Sequence, residues 1–233
     1  MYISLGGNCS ITYQLNKYNL RNEAFPSEKL SNTLYYCPSE KLSNTLYYCP
    51  SEKLSNTLYY CPFDWAKIKI NQLINVLENN FENYAESLQI KKYSDSHQSY
   101  IITNDYSIQF AHEIVNIDEL SELNVLNNFK DKIKRRITRF QNLSNNYTEK
   151  ITFIRIELDV PKSNYIDNII KLVKLIKNYY SNFILKILIE TNSYNTIFQE
   201  KLEYVEFIKF DSYSEDWKMD HINWSSVFEE NTI

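Results

Sequence analysis

Long apolar segments are missing from this sequence. No run approaches the ~20 consecutive apolar residues that a membrane-spanning helix needs. The opening residues, 1–4, also lack the charged and apolar regions of a secretory signal peptide. We therefore expect a cytoplasmic protein that does not interact with membranes and whose cysteines are reduced by default.

An excess of positive charge is missing as well. The formal net charge is −4 and the isoelectric point is about 5.5, which disfavours binding to nucleic acids or to anionic membranes. The basic side chains that do cluster lie in one amphipathic stretch, beside Asp131. We interpret this stretch as a solvated helix face, with a phosphate- or substrate-facing patch as the reserve hypothesis. Its members are Lys130, Lys132, Lys134, Arg135, Arg136 and Arg139.

Glycine is nearly absent, since Gly6 and Gly7 are the only two in 233 residues. They follow a strand-like run over residues 2–5 and precede apolar residues at helical spacing between positions 11 and 18. This pattern predicts a strand, a tight turn and a helix. In parallel α/β sheets, the first turn of this kind is a favoured place for ligands and chemistry.

A perfect tandem repeat stands between residues 26 and 61. The 12-residue unit PSEKLSNTLYYC occurs three times in succession, which accounts for 36 residues. Without it, 233 − 36 = 197 residues remain, and Phe25 would continue directly into Pro62 and Phe63. We interpret residues 26–61 as a duplicated insertion in a loop of a single domain that spans residues 1–233. We expect this insertion to be exposed, with no side chain buried beneath the sheet, and to be dispensable for folding.

Most of the cysteines belong to the repeat. Cys37, Cys49 and Cys61 occupy the same position in the three units, with no histidine or second cysteine between them. This spacing lacks the ligand geometry of zinc sites, so we expect no metal. We also expect no cofactor. Cys9 is the one cysteine outside the repeat, and it follows the glycine turn.

Strands and helices alternate clearly in the last third of the chain. The composition, 43% hydrophobic and 23% charged, is typical of a globular protein. The alternation predicts an α/β fold with a mainly parallel sheet and helices on both faces, a Rossmann-like three-layer arrangement. The predicted strands cover residues 2–5, 99–103, 106–110, 151–156, 183–189 and 205–210. The predicted helices cover residues 11–18, 68–81, 120–140 and 165–180, with a short helix near Trp217 and Trp224.

The position of Cys9 is compatible with catalysis and with simple packing. A thiolate near a helix N-terminus is stabilised by the helix dipole and by N–H groups that have no helical partner. The N–H groups of this turn, at Gly7 and beyond, could stabilise an oxyanion together with the Asn8 side chain. The alternative is that Cys9 is a small buried apolar residue that packs the helix onto the sheet.

A cysteine nucleophile needs a base, and the chain has three histidines. His97 lies in a polar stretch, and His221 stands near the C-terminus without a distinguishing context. His112 follows an apolar strand pattern, so it is the best candidate. The carboxylate that would orient the base is left open by the spacing, with Asp64, Glu113, Asp118, Glu157 and Asp159 as candidates.

Several short motifs together resemble one known family. They are SLGGNC at residues 4–9, Leu20-Arg21, the interrupted PFDW that ends at Trp65, His112, RRITRF at 135–140 and FIR at 153–155. In order and spacing they resemble a domain-of-unknown-function family that carries the description of papain-like cysteine peptidases and occurs in bacteria and large DNA viruses.

The resemblance implies specific roles for residues of this chain. Cys9 would be the nucleophile, His112 the base and Asp64 the acidic third member. It also implies a papain-like α+β fold as the alternative architecture, and a peptide or another acyl or amide compound as the substrate.

Two further functions compete with this hydrolase hypothesis. In a transferase-like enzyme, Asn8 and Cys9 would line a pocket, and arginines at 136, 139 and 155 would bind an anionic substrate. Arg139 and Arg155 would serve as substrate-binding residues in the hydrolase too. In a non-catalytic binding protein, the repeat would make the contact with the ligand. Only the hydrolase requires a reactive thiol.

Overall fold

The fold is described from a computed structural model, in which residues 1–20, 60–95, 99–114, 122–146, 148–158, 160, 163–194, 201–211 and 217–229 are described. The strands are β1 (Tyr2–Ser4), β2 (Ala66–Lys67), β3 (Gln89–Ser94), β4 (Ser99–Thr103), β5 (Gln109–Ile114), β6 (Ile151–Glu157), β7 (Phe183–Glu190) and β8 (Val205–Phe210). The helices are α1 (Ser10–Lys17), α2 (Ile70–Glu78), α3 (Glu122–Asn146), α4 (Tyr165–Lys177), α5 (Thr191–Tyr194) and α6 (Trp224–Phe228). None of the helices in these ranges is long and apolar enough to cross a membrane.

A parallel sheet of four strands, in the order β1-β6-β7-β8, forms one half of the fold. Its register aligns Ile3 with Phe153, and Phe153 with Leu185. Every residue of β6 is buried, because parallel strands that are covered on both faces need apolar side chains in both directions. The predicted mixed α/β class with a parallel sheet is therefore confirmed.

Alternate residues of the parallel strands face two different cores. Phe153 and Leu185 belong to the larger core, which also holds apolar side chains of α2, α3 and α4. Ile154 and Leu188 face the other way, onto α1 and the C-terminal segment that contains α6. Since side chains alternate along a strand, this division means that both faces of the sheet are covered.

A second sheet, in the order β2-β5-β4-β3, is antiparallel throughout. Phe110 of β5 and Ile102 of β4 belong to the same large core as the parallel sheet. The sequence indicated only a hairpin here and missed β2 and β3. The strand predicted over residues 106–110 is also displaced, because Asn104 and the turn after it hold the chain until β5 begins at Gln109.

The buried side chain of Arg155 connects the two sheets. Its guanidinium pairs with Glu157 and donates to the carbonyl of Leu5, 3.1 Å away, at the end of β1. It also donates to the carbonyl of Ile68, 2.9 Å away, just after β2. The charge is therefore neutralised and each of the three guanidinium nitrogens donates a hydrogen bond, which offsets the cost of burying the arginine.

The last two residues of the repeat are part of the core. Tyr60 and Cys61 are each 1% exposed, although they belong to the third copy of the unit. The expectation of an exposed insertion is thus wrong for these two residues, because their side chains pack against elements that also hold Cys9 and the large core. Residues 26–59, including Cys37 and Cys49, lie outside the described residues.

Candidate active site

The glycine turn brings the chain from β1 to α1 in very little space. Gly6 and Gly7 have φ of 74° and 97°, in the left-handed region that favours glycine. A Cβ atom on Gly7 would lie 2.0 Å from the carbonyl oxygen of Ile156, so no side chain fits there. The Gly6 N–H donates to Ser4 Oγ at 3.2 Å, which closes the turn.

Cys9 directly precedes α1 and is 6% exposed. Its carbonyl accepts the first helical hydrogen bond, from the Tyr13 N–H at 3.1 Å, and its side chain does not cap the helix. The Cys9 N–H donates to Asn8 Oδ1 at 2.5 Å, and Asn8 Nδ2 lies 4.0 Å from Met219 Sδ. Asn8 therefore fixes the backbone at Cys9 through its carbonyl oxygen.

The carbonyl oxygen of Trp65 joins the two halves of the site. It accepts from the Cys9 thiol, with Sγ 3.6 Å away, and from the Ala111 N–H at 3.3 Å. Cys9, Trp65 and Ala111 also belong to one small buried cluster, which includes Tyr60. Because Ala111 precedes His112 in β5, this shared acceptor brings the backbone at His112 close to the thiol.

His112 lies in an irregular part of β5. Between the pairs Tyr100–Ile114 and Ile102–Phe110, β5 contains two more residues than β4, which makes a bulge. His112 has a φ of 66°, and its N–H donates to Ser99 Oγ at 2.9 Å.

Two tryptophan rings contact the imidazole of His112. Their centroids lie 5.6 Å from it for Trp65 and 5.0 Å for Trp217. The sequence had indicated that His112 lies at the end of a strand, but it lies inside β5. The bulge turns its side chain toward these rings.

Asp64 is fully buried between the start of α1 and the end of the repeat. One carboxylate oxygen accepts from Thr12 Oγ1 at 2.9 Å, and the other accepts from the N–H of Cys61. Thr12 Oγ1 in turn accepts from the Trp65 N–H at 3.3 Å. Asp64 thereby holds Trp65 against α1, which sets the position of the carbonyl that Cys9 and Ala111 share.

Glu113 follows His112, and its buried carboxylate binds two cations of α3. Its buried carboxylate accepts from Arg136 at 2.8 Å and from Lys132 at 2.7 Å. Burial acts to raise the pKa of Glu113, but the charges and hydrogen bonds of Arg136 and Lys132 outweigh it and lower the pKa to about 2. The carboxylate is therefore ionised at neutral pH and holds α3 against the bulge.

The remaining predicted residues lie apart from this cluster or outside the described residues. Arg155 joins the two sheets, and Arg139 is half-buried with its Nε 3.4 Å from the carbonyl of Arg135 in its own helix. The ring of His221 contacts Phe210, the last residue of β8, with centroids 6.2 Å apart. His97, Asp118 and Asp159 lie outside the described residues.

Sequence reasoning missed the residues that join the site together. Trp65 and Thr12 supply the hydrogen bonds between α1 and the rest of the site, while Trp217 contacts His112. The string that ends at Trp65 pointed to this loop, but nothing in the local sequence marks Thr12 or Trp217. Within the described ranges, no group of three or more His, Cys, Asp or Glu side chains is arranged to hold a metal ion.

The fold and the site define a mixed α/β protein in which a cysteine follows the first strand of a parallel sheet, and one backbone carbonyl links it to the histidine-bearing strand of a second sheet. The chain belongs to the family described as "putative papain-like cysteine peptidase", whose profile matches residues 1–35 and 51–193. It is also 25% identical over 252 aligned positions to an uncharacterized protein of Acanthamoeba polyphaga mimivirus, covering 97% of this chain and 96% of that protein. No solved structure matches it significantly.

Proposed function

We propose that this protein is a cysteine-dependent hydrolase, of the peptidase or acyl-transfer type, in which Cys9 is the nucleophile and His112 the base. The main support for this proposal is the carbonyl of Trp65. Its oxygen accepts hydrogen bonds from both the Cys9 thiol and the N–H of Ala111, the residue before His112. Cys9 and His112 are more than 100 positions apart in the sequence, and this shared acceptor brings their backbones together.

The proposed reaction uses groups that lie around Cys9. His112 accepts the thiol proton, and the thiolate of Cys9 attacks the carbonyl carbon of the substrate. The N–H groups in the first turn of α1 have no partner within the helix, and they stabilise the oxyanion that forms. His112 then gives the proton to the leaving group. Water hydrolyses the resulting thioester and releases the acid and the free thiol.

The remaining assignments are part of the same proposal. Asp64 acts by holding Trp65, with Gly7 and Asn8 shaping the turn that presents Cys9. The substrate is a peptide or another acyl or amide compound, and the protein is cytoplasmic. The Rossmann-like three-layer description is our preferred architecture, supported by the parallel order of β1, β6, β7 and β8.

The pH dependence of thiol alkylation tests this proposal. Cys9 should react with iodoacetamide with a midpoint below the ordinary thiol pKa of about 8.5. The unique peptide that contains Cys9 distinguishes it from the cysteines of the repeat by mass spectrometry. In the variant His112→Asn the midpoint should move up, because the base is lost while asparagine still tolerates the left-handed backbone.

The proposal would be refuted if Cys9 alkylation has its midpoint at the ordinary thiol pKa and His112→Asn leaves that midpoint unchanged. Cys9 would then be a packing residue.

A further inference from the structure

Tyr60 is a buried aromatic residue at the end of the repeat, and it contacts both halves of the candidate site. Its ring belongs to the small cluster with Cys9 and Ala111, and its hydroxyl lies 3.3 Å from Asn16 Nδ2 on α1. On the other side, the guanidinium carbon of Arg136 lies 5.1 Å from the centre of the ring. A buried cation over an aromatic face is a stabilising contact that depends on the planar ring.

Arg136 extends this contact to the bulge that holds His112. Its guanidinium is 1% exposed and pairs with Glu113 at 2.8 Å. Glu113 is the next residue after His112, and its side chain is fully buried in the pair. A shift of Arg136 would therefore move Glu113, and with it the backbone that orients the imidazole.

We propose that Tyr60 is a positioning residue of the site, acting through Arg136 and Glu113 on His112, and that the third copy of the repeat is part of the enzyme rather than an appendage. This inference rests on the proposed function. The family profile covers residues 26–35 of the first copy, passes over 36–50 and resumes at 51, so Tyr60 falls inside the matched region. Identical copies thus differ in role through their place in the chain.

The identical sequence of the copies provides a matched control. We compare Tyr60→Leu with Tyr48→Leu, the same substitution in the second copy, by the pH profile of Cys9 alkylation and by thermal unfolding. Tyr60→Leu should lower the alkylation rate at pH 7 by about tenfold, because the thiolate is the reactive form and a midpoint raised by about one pH unit lowers its fraction by that factor. It should also move the midpoint toward that of His112→Asn. Tyr48→Leu should match the wild type.

Two further variants test whether loss of the aromatic ring itself causes the change in the alkylation profile. Tyr60→Phe keeps the ring and should behave as the wild type, whereas a shift as large as that of Tyr60→Leu would refute the route through Arg136. If Tyr60→Leu does not fold, Arg136→Lys tests the same contact, because lysine retains the charge for Glu113 and loses the planar guanidinium. It should move the midpoint upward, and an unchanged profile would refute the inference.

The outcomes also distinguish this inference from the proposed function. A wild-type midpoint that is low and sensitive to His112→Asn, combined with an unchanged profile in Tyr60→Leu, would overturn the role of Tyr60 alone. A lower melting temperature of Tyr60→Leu without a change in profile would also overturn that role, since the loss of packing alone would cause it. An ordinary wild-type midpoint would overturn both proposals.

Discussion

Several residues around the thiol of Cys9 have a left-handed backbone conformation. Gly6, Gly7, Trp65 and His112 all adopt positive φ, between 58° and 97°. For tryptophan and histidine this conformation costs free energy and persists only where the surroundings impose it. The hydrogen bonds of Trp65 to Thr12, Cys9 and Ala111 do so here. Phe81 and Tyr204 adopt the same conformation away from Cys9, so positive φ alone does not mark the functional site.

The two glycines differ in what a side chain would meet, which leads to a ranked prediction. In Gly7→Ala the new Cβ would lie 2.0 Å from the backbone oxygen of Ile156, whereas in Gly6→Ala its nearest neighbour is a side-chain methyl of Ile68 at 2.4 Å. Both substitutions are strained by their positive φ, at a cost of about 1–3 kcal/mol. A side chain can move aside more easily than a strand, so Gly7→Ala should lower the free energy of unfolding more.

Urea denaturation of the two glycine variants measures this difference. Equal losses would mean that the strand end at Ile156 yields as easily as a methyl group. A larger loss for Gly6→Ala would contradict the packing of the turn.

Single residues of the site were predictable only where a local pattern marked them. The paired glycines and the start of a helical spacing identified Cys9 and its turn from the sequence. The contact between Cys9 and Trp65 spans 56 positions and depends on how two sheets meet. No local pattern records such a contact, and for the same reason Ser99 and Thr12 could not be recognised.

At the scale of elements, the contact between α3 and β5 holds the bulge that contains His112. The basic run of α3 was interpreted as a solvated face, which is wrong for Arg136 and Lys132 because both bind the buried Glu113. The interpretation as a solvated face is better for Lys130 and Lys134, since they pair with the exposed carboxylate of Glu86. Periodicity predicted the helix correctly, but it could not distinguish inward from outward cations without knowledge of the partner strand.

Glu113→Gln should destabilise the protein strongly. It removes one charge from a buried cluster and leaves Arg136 uncompensated, at a cost of about 3–5 kcal/mol. The matched control is Glu86→Gln, which removes an exposed partner of two lysines and should have little effect. Thermal and urea unfolding of both variants at pH 7 measure the difference.

Acid unfolding provides a second readout of the same substitution. The pKa of Glu113 is lowered from 4.5 to about 2, so its stabilising contribution is complete above pH 4.5 and is lost as the pH falls toward 2. In Glu113→Gln, the free energy of unfolding should therefore depend less steeply on pH within this window. An equally steep dependence in both proteins would show that Glu113 does not carry this stabilisation.

Strands and helices were predicted well where their sequence pattern is strong. Strands β6, β7 and β8 and helices α2 and α4 were predicted close to their observed bounds, because long apolar runs and helical spacing mark them. Helix α3 was predicted over 120–140, but it continues to Asn146. The short β2 and the polar, mostly exposed β3 have neither signal. Their hydrogen bonds to β5 and β4 come from the tertiary fold.

At the scale of the molecule, the candidate site forms where the two sheets meet. The parallel sheet supplies the turn before Cys9, and the antiparallel sheet supplies the bulge with His112. The side chain of Arg155 and the shared core fix one sheet against the other. The alternation of elements predicted the first sheet, whereas the position of the second depends on contacts that only the folded chain displays.

The repeat offers a test of the whole architecture, because its copies can be removed in two ways. Deleting residues 26–49 leaves one complete unit between Phe25 and Pro62, so Tyr60 and Cys61 are retained. Deleting residues 26–61 removes both of these buried side chains, together with the Cys61 N–H that donates to Asp64. The sequence alone had suggested that the longer deletion is tolerated.

With Tyr60 and Cys61 in the core, we expect the two deletions to differ. Residues 26–49 should be removable with a wild-type melting temperature and Cys9 alkylation profile, because loop length itself contributes only about 0.6 kcal/mol per doubling. Deletion of residues 26–61 should lower the melting temperature and the reactivity of Cys9, since a cavity replaces the Tyr60 ring and Asp64 loses a hydrogen bond. Equal melting temperatures and profiles for the two deletion proteins would show that the chain replaces Tyr60 and Cys61 without loss, and that all three copies are dispensable.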